Sequence, residues 1–368
     1  MPMLSRTAEG LFWMSRYVER AENVARLLDA GRRMNTLPSP GGEATHEWTS
    51  VVIAAGCSDT YPRPLNQADE ASVAHHLIFD RDNPSSIRSC FEMARSNARA
   101  MRTAITADMW DAANEAWSSM RARSPAVVAG GGLAPFLDWT KAQAQRFRGA
   151  ADDTMLRDAG HHFVRLGQYI ERADATARML DVKYHVLLPR GAEVGGALDH
   201  VQWVQILRAA NSQRAFRHVY RQRARPDLVA DFLILNRASP RSMAHSYKML
   251  VRHLDGMGED DGRTRASLEE AAATLTRLKA MKIEEVFEIG LHEFLTEFIE
   301  GNHRLAVAIA DDHGFGPNSA RAARPAARVR AAGLRFRPPA RFGPPSTPRA
   351  HLLGEAGLPE TNPGWTDR

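Results

Sequence analysis

The sequence predicts an all-α fold: an internally duplicated multi-helix bundle with a pseudo-twofold axis, followed by a disordered C-terminal tail. Apolar residues recur at three- and four-residue spacing, and strict alternation is absent over any long stretch, which indicates helices rather than strands. Much of the chain also occurs twice. In addition, the composition changes sharply after residue 313.

The internal repeat is the strongest of these signals. Residues 17–29 return as residues 169–181 with eight of thirteen positions identical, and residues 73–87 return as residues 229–243 with seven of fifteen identical. The offset between the copies drifts only from 152 to 158, which one duplication with small insertions explains. Two further correspondences extend the repeat: Trp48 with Trp203, and Phe136-Leu137 with Phe294-Leu295.

Two copies are too few for an open solenoid, which needs three or more stacked units. We therefore predict one closed helical domain over residues 1–313, with pseudo-repeats at about 3–149 and 155–313. If the two halves pack about a pseudo-twofold axis, corresponding residues of the two copies face one another.

A long helix is expected to open each half. The apolar stripe of the first helix lies between Thr7 and Asp29, and that of the second lies between Phe163 and Leu180. The pairs Glu22 with Arg26 and Asp174 with Arg178 have the i,i+4 spacing that favours a helix.

Proline and composition mark the later helices. Asn83-Pro84 and Ser239-Pro240 each place a helix-capping residue before a proline at the first helical position. Continuous helical runs are expected over Cys90–Asn114, Asp261–Lys282 and Glu284–Ala310. We expect about ten to twelve helices in all, the last of them ending near His313.

The tail, residues 314–368, differs from the helical domain. It holds nine arginines, three acidic residues and nine of the chain's twenty prolines, so we expect it to be mostly disordered. It contributes 9 − 3 = +6 to the net charge of +5, which leaves the helical domain near −1. The tail lacks interleaved aromatic residues that stack on bases, which argues against a nucleic-acid interface.

The sequence contains few signals that indicate a cellular location. The N-terminus has no apolar run typical of a secretory signal, and no stretch approaches eighteen apolar residues, so we expect no membrane association. Cys57 and Cys90 do not make a disulfide framework, which favours a cytoplasmic location.

A charged pair, Glu19-Arg20 and Glu171-Arg172, recurs in both long helices. The repeat predicts that Glu19 meets Arg172 and that Glu171 meets Arg20. Three interpretations stay open: interhelical salt bridges, a solvated face, or a cleft that binds an anionic or amide-bearing ligand. The candidate binding residues of such a cleft are Arg16, Tyr17, Arg20, Asn23, Tyr169 and Arg172.

A second recurring element lies at two predicted helix starts. Helix N-termini present free N–H groups, so Ser85, Ser86, Arg241 and Ser242 are candidates for holding a phosphate or carboxylate. Helix capping alone explains the same residues.

Metal and cofactor signals are weak. Glu300 and His303 fit one Glu-x-x-His motif of a di-iron bundle, but Ala142 and Gln145, the corresponding residues of the first half, are not metal ligands. No P-loop or dinucleotide fingerprint is present either. We therefore predict neither a metal nor a cofactor, and enzyme status stays open.

The ordered motifs of the chain resemble those of the bacterial alpha-E proteins, a helical family named for its Glu-Arg motif. The resemblance runs from about Met3 to Phe315. It is carried by Met3-Leu-Ser-Arg, Trp13-Met-Ser-Arg-Tyr-Val-Glu-Arg-Ala-Glu-Asn23, Asn83-Pro-Ser-Ser-Ile87, Gly167-Gln-Tyr-Ile-Glu-Arg-Ala173 and Ser239-Pro-Arg-Ser242.

The resemblance implies partners: a circularly permuted ATP-grasp ligase and often a transglutaminase-like protease, encoded nearby or fused. We therefore expect an accessory or partner subunit of an ATP-grasp-dependent peptide- or amide-bond-forming system, which binds the ligase or its substrate through the Glu-Arg helices. One alternative is an enzyme that acts on an amine or peptide substrate with Glu19 or Glu171 as general base. Another is a structural scaffold.

Overall fold

A computed structural model describes residues 3–36, 45–185, 196–257 and 265–316 of the chain. These residues form fourteen α-helices and two short 3-10 helices, and none of them lies in a strand, which confirms the predicted all-α class. The duplication itself stays a prediction from the sequence.

The first seven helices are α1 (Ser5–Asn35), α2 (Thr45–Ala54), α3 (Glu70–Ile78), α4 (Ile87–Ala100), α5 (Ala107–Arg121), α6 (Leu133–Thr154) and α7 (Ala159–His185). The remaining helices are α8 (Ala197–Ala209), α9 (Gln213–Tyr220), α10 (Pro226–Ile234), α11 (Met243–Asp255), α12 (Ala266–Ala280), α13 (Ile283–Ile289) and α14 (Leu291–Asp312). Short 3-10 helices occur at Leu65–Gln67 and Pro125–Val128.

Helices α1 and α7 form the centre of the fold. Each packs against the other, α1 also contacts α2, α4, α6 and α8, and α7 also contacts α2, α11 and α14. The sequence predicted one apolar stripe along α1, but the helix is buried on nearly every side from Ala8 to Gly31. Charged side chains outside the stripe are therefore buried as well, and they need partners there.

The two central helices approach one another closely at Gly167 of α7. A Cβ atom at this position would lie 2.2 Å from the carbonyl oxygen of Phe12 on α1. Only a residue without a side chain fits such a backbone contact. The contact lies one turn before Glu171 and so sets the distance across which the Glu-Arg pairs must reach.

Two of the expected continuous helices are interrupted, which raises the number of helices above the ten to twelve predicted. The run over Cys90–Asn114 is divided between α4 and α5, because Thr106 starts a new helix by accepting the N–H of Met109 at 3.3 Å. The run over Glu284–Ala310 is divided at Gly290, whose φ of +103° breaks the helical path between α13 and α14.

The starts of α4 and α11 also differ from the prediction. Asn83 and Ser239 were predicted as N-caps, but the N-caps are Ser86 and Ser242. The side-chain oxygen of each serine accepts a hydrogen bond from the backbone N–H three residues later, at 3.2 and 3.0 Å. Asn83 instead accepts the N–H of Ser85 at 2.9 Å, which stabilises the turn before α4.

The last helix ends at Asp312, as predicted, and His313 is its C-cap residue. Most of the tail, from residue 317 onward, lies outside the described residues, so the expectation of disorder there stays a prediction. Within the described ranges, no helix is both long and apolar enough to cross a membrane.

Candidate functional site

The recurring Glu-Arg pairs of α1 and α7 meet across the helix interface. Arg172 donates from Nε to Glu19 Oε1 at 2.8 Å and from Nη2 to Glu19 Oε2 at 3.0 Å. Arg20 donates from Nε to Glu171 Oε1 at 2.6 Å and from Nη2 to Glu171 Oε2 at 3.0 Å. Both pairings expected from the repeat are present, and each is a two-pronged, charge-assisted contact.

Around the first pairing lies the Glu19 cluster, which comprises Glu19, Glu22, Arg26, Arg148, Arg172 and Arg241. Arg148, from α6, donates from Nη1 to Glu19 Oε2 at 3.0 Å and also to Glu22. Arg241, just before α11, donates from Nη2 to Glu22 Oε1 at 2.6 Å. The two neighbouring carboxylates therefore share Arg148, and together they contact guanidinium groups from three other parts of the chain.

Backbone carbonyl groups complete the Glu19 cluster. Arg26 donates from Nη1 to the carbonyl oxygen of Ala209, at the end of α8, at 2.7 Å. The hydroxyl of Thr176 on α7 donates to the carbonyl oxygen of Arg241 at 2.7 Å. These contacts fix the ends of two surrounding helices to the central pair.

The second pairing belongs to the Glu171 cluster, which comprises Arg16, Arg20, Glu171, Asp174 and Arg178. Arg16 donates from Nε to Glu171 Oε2 at 3.0 Å, while its guanidinium carbon lies 4.6 Å from the centroid of the Trp13 ring. Asp174 accepts from Arg178 Nε at 2.6 Å. In this cluster, unlike the first, the two carboxylates do not share an arginine in the contacts of the described residues.

Positive charge exceeds negative charge in both clusters. Four guanidiniums face two carboxylates in the Glu19 cluster (4 − 2 = +2), and three face two in the Glu171 cluster (3 − 2 = +1). Burial and the nearby guanidinium of Arg26 lower the pKa of Arg241 to about 9. Burial also lowers the pKa of Arg16.

The pKa values of the three glutamates are lowered as well, which for a carboxyl group favours the charged form. Burial alone would raise the pKa of Glu171, but the guanidiniums of Arg20 and Arg16 outweigh it and hold the pKa at about 2. The pKa values of Glu19 and Glu22 are lowered as well, because the arginines around them outweigh the cost of burial. All three groups are therefore carboxylates over the whole physiological pH range.

The remaining candidates lie at the edge of this arrangement. Tyr169 is buried, and its hydroxyl accepts from Arg165 Nη2 at 2.9 Å. Tyr17 is half-buried, and burial raises its pKa. Asn23 is buried on α1, and its Nδ2 atom makes no hydrogen bond within the described residues.

The serines predicted at the helix starts serve the backbone. The Ser86 and Ser242 hydroxyl oxygens cap α4 and α11, and the backbone N–H of Ser85 is bonded to Asn83. Of this second element, only Arg241 joins the charged network. Capping thus accounts for Ser86 and Ser242 without a ligand.

Sequence reasoning missed several residues of the network. Glu22 with Arg26 and Asp174 with Arg178 were noted only as helix-favouring pairs, although each member is part of a cluster. Arg148 was missed entirely. At the offset of 158 its counterpart is Ala306, so the repeat contained no signal for it.

Histidine, cysteine and acidic side chains offer no metal centre in the part of the chain that the structure describes, since no three of them are placed to hold one ion. Cys57 and Cys90 are both free and buried. The contacts described in the two clusters are ion pairs and hydrogen bonds.

The fold and the site together define a class: an all-helical protein whose two central helices are joined by reciprocal, buried Glu-Arg pairs. The family model of Alpha-E, described as a predicted alpha-helical domain with a conserved ER motif, matches residues 3–313. The chain belongs to the Alpha-E family.

Three curated relatives are similar to the chain. An uncharacterized protein of Mycobacterium bovis and one of Mycobacterium tuberculosis are each 26% identical over 328 residues, and a second from M. tuberculosis is 25% identical. Each match covers 83% of this chain but only 36% of the relative, so the chain spans about a third of the relatives' length. No solved structure matches the chain.

Proposed function

We propose that this chain is a non-catalytic helical partner subunit of an ATP-grasp-dependent system that forms peptide or amide bonds, and that it works in the cytoplasm. The observation that supports a partner role over a catalytic one is the state of the Glu-Arg pairs. The carboxylates of Glu19 and Glu171 are buried, and arginines occupy the oxygens of both.

A general base needs a pKa near the working pH and free access to the proton that it takes. Glu171 has a pKa of about 2, and Glu19 has a lowered pKa. Both oxygens of each carboxylate already accept hydrogen bonds from guanidiniums. These properties disfavour the alternative in which Glu19 or Glu171 is the base of an enzyme.

The clusters suit an architectural role instead. They join α1 and α7 to α6, to the end of α8 and to the segment before α11, so they determine how the helices are arranged. Because Glu19 and Glu171 are buried, they do not form an outer binding surface. In this proposal the partner contacts the outside of the bundle, and the Glu-Arg pairs hold that outside in shape.

The relatives favour a partner role. In each of them the matching region makes up only 36% of a longer protein, so additional sequence accompanies it in the same chain. Covalent linkage raises the effective concentration of two modules, which benefits modules that act together. The ATP-grasp ligase, and with it a peptide as the molecule modified, is the partner that the sequence resemblance implies.

The test is to co-express the chain with an ATP-grasp ligase of the kind that the resemblance implies, purify by a tag on one protein, and measure ATP turnover with and without the chain. We expect a stable complex and a changed rate of ATP turnover. Absence of both would overturn the proposal.

A pair of variants separates partner from enzyme. Glu171→Gln is compared with Glu115→Gln, which makes the same change in an exposed ion pair with Arg146. If folded Glu171→Gln protein still binds the ligase and supports product formation in proportion to its folded fraction, the role of Glu171 is architectural. If it binds the ligase normally but product formation stops, Glu171 is chemical and the non-catalytic proposal is wrong.

A further inference from the structure

The Glu19 cluster contains more positive charge than its own carboxylates balance. Its four arginines form ion pairs with Glu19 and Glu22, and within the described ranges none of the four pairs with a third carboxylate. The excess is therefore 4 − 2 = +2, beside two carboxylates that are buried. Uncompensated charge in a buried cluster is costly, so an anion that supplies about two negative charges would stabilise it.

Two of these arginines, Arg148 and Arg241, are neighbours that water partly reaches. Arg148 lies 3.0 Å from Glu19 and also bonds Glu22, while Arg241 lies 3.9 Å from Glu19 and 2.6 Å from Glu22. The side chains of the two arginines are 16% and 15% exposed, whereas those of the two glutamates are 1% and 0% exposed. Solvent therefore meets the cluster at its guanidiniums and not at its carboxylates.

Both guanidiniums keep nitrogen atoms for a further acceptor. Arg148 uses only Nη1 for its two hydrogen bonds, and Arg241 uses only Nη2 for its one. Across the described part of the chain, their other side-chain nitrogens make no hydrogen bond, and none of these nitrogens is sealed from water. A guanidinium presents its N–H groups in a rigid fork that matches the oxygens of a phosphate, so two neighbouring forks suit one such group.

The two arginines are also held in place before any ligand arrives. Thr176 Oγ1 donates to the carbonyl oxygen of Arg241 at 2.7 Å, and Arg172 donates from Nη1 to the carbonyl oxygen of Pro240 at 3.4 Å. Arg148 lies inside the regular helix α6. Groups that the fold already positions lose less conformational freedom on binding, which favours affinity.

We propose that Arg148 and Arg241 bind a phosphate group, carried either by free inorganic phosphate or by a small phosphomonoester. The free N–H groups of both guanidiniums hold its oxygens. A phosphomonoester has a charge of about −1.5 to −2 at pH 7, which balances the excess of the Glu19 cluster. The inference goes beyond the proposed function and does not rest on it, because binding is a property of the isolated chain.

The test is equilibrium dialysis of the full chain against radiolabelled inorganic phosphate at constant ionic strength. We expect saturable binding at one site. Sulfate, a dianion of similar shape, should displace the phosphate, whereas chloride should not, because a single negative charge without a set of oxygens matches neither the charge nor the forks. Absence of saturable binding, or displacement by chloride as readily as by sulfate, would overturn the proposal.

Methyl phosphate distinguishes the two sources of the phosphate group in the same experiment. If it displaces inorganic phosphate with comparable affinity, the site accepts a phosphomonoester. If it displaces inorganic phosphate at least about tenfold less well, the ligand is the free ion, because only an unsubstituted phosphate offers all four oxygens to the two forks.

Arg241→Gln is the decisive variant. It removes one fork and one positive charge, while Glu22 keeps Arg26 and Arg148, so the variant should fold. We expect it to lose at least about tenfold in affinity for inorganic phosphate, since charge-assisted hydrogen bonds are the strong ones.

The matched control is Arg146→Gln, which makes the same change on α6 in an exposed ion pair with Glu115. It should bind phosphate as the unchanged chain does. Arg241→Lys keeps the charge but not the fork, so it tests the site even if Arg241→Gln folds poorly, and it should bind phosphate more weakly than the unchanged chain. If the folded Arg241 variants bind phosphate with unchanged affinity, these arginines are not the site.

Discussion

The Glu19 cluster and the Glu171 cluster start from the same two-residue motif and differ in their surroundings. In the Glu19 cluster, Glu19 and Glu22 share Arg148, and Arg241 adds a contact from the segment before α11. In the Glu171 cluster, Asp174 pairs with Arg178 on its own helix. The first network is branched and joins several helices, whereas the second joins α1 to α7 through Glu171 and adds a separate ion pair within α7.

The difference shows that the motif defines only the central contact. The consequences of removing a charge depend on the residues added around it. A carboxylate that contacts several buried guanidiniums leaves additional buried positive charge uncompensated when it is lost. One with a single, partly exposed partner leaves a cation that water can reach. Substitutions in the two clusters should therefore have unequal effects.

The largest effect is expected for Glu22→Gln, compared with Asp174→Asn in the corresponding position of α7. Glu22 is fully buried and contacts Arg26, Arg148 and Arg241, so its loss should lower the free energy of unfolding by about 3–5 kcal/mol. The Asp174→Asn change should lower the free energy of unfolding by only about 1 kcal/mol, because the side chain of Asp174 is 21% exposed. Urea unfolding followed by circular dichroism measures both. Equal losses would contradict the contrast between the clusters.

Acid should weaken the fold through Glu171. The pKa of Glu171 is about 2 in the folded chain, whereas its ordinary value is 4.5. Between these two pH values the unfolded chain binds more protons than the folded chain, so stability falls as the pH drops through this range. The contribution amounts to about 3 kcal/mol above pH 4.5. Between pH 4.5 and 2, the free energy of unfolding of the Glu171→Gln variant, measured with urea, should fall less than that of the unchanged chain. An unchanged slope would mean that Glu171 does not titrate as described.

Double-mutant cycles compare the two central pairings directly. The Glu19–Arg172 pair has side chains that are 1% and 8% exposed, while Arg20 opposite Glu171 is 19% exposed. Both coupling energies should lie at about 1–3 kcal/mol, with the larger value for Glu19–Arg172 because water reaches it less. The measurement is the unfolding free energy of the Gln and Met single and double variants. A larger coupling energy for Glu171–Arg20 would contradict the expectation that the better-buried pair is the more strongly coupled.

The smallest effect is expected for Arg241→Gln. Glu22 keeps Arg26 and Arg148, and the charge of the Glu19 cluster falls from +2 to +1, so stability should change by no more than about 1 kcal/mol. Arg148→Gln is the control, and it should cost more because Arg148 serves both Glu19 and Glu22. Thermal and urea unfolding rank the two variants. A greater loss for Arg241→Gln would show that its link to α11 outweighs the excess charge.

The sequence predicted the all-α class and the contacts between the Glu-Arg pairs, because helical periodicity is local and the repeat indicates which residues correspond. The break at Gly290 was missed, since a single glycine inside a helical pattern is usually tolerated. The caps at Ser86 and Ser242 fall three residues after the predicted ones, because a turn precedes each helix. Arg148 contacts residues more than 120 positions away, so no local pattern indicated it.

The close approach at Gly167 also bears on how such proteins can be found. Gly167 stands four residues before Glu171, and Ser15, which is 4% exposed, stands four residues before Glu19. A larger side chain at Gly167 would meet the backbone of Phe12 and push the central helices apart, and one at Ser15 would have to fit a buried position. A search pattern of a small residue, any three residues and then Glu-Arg, required twice in one chain, should therefore retrieve proteins of this architecture more selectively than the dipeptide alone.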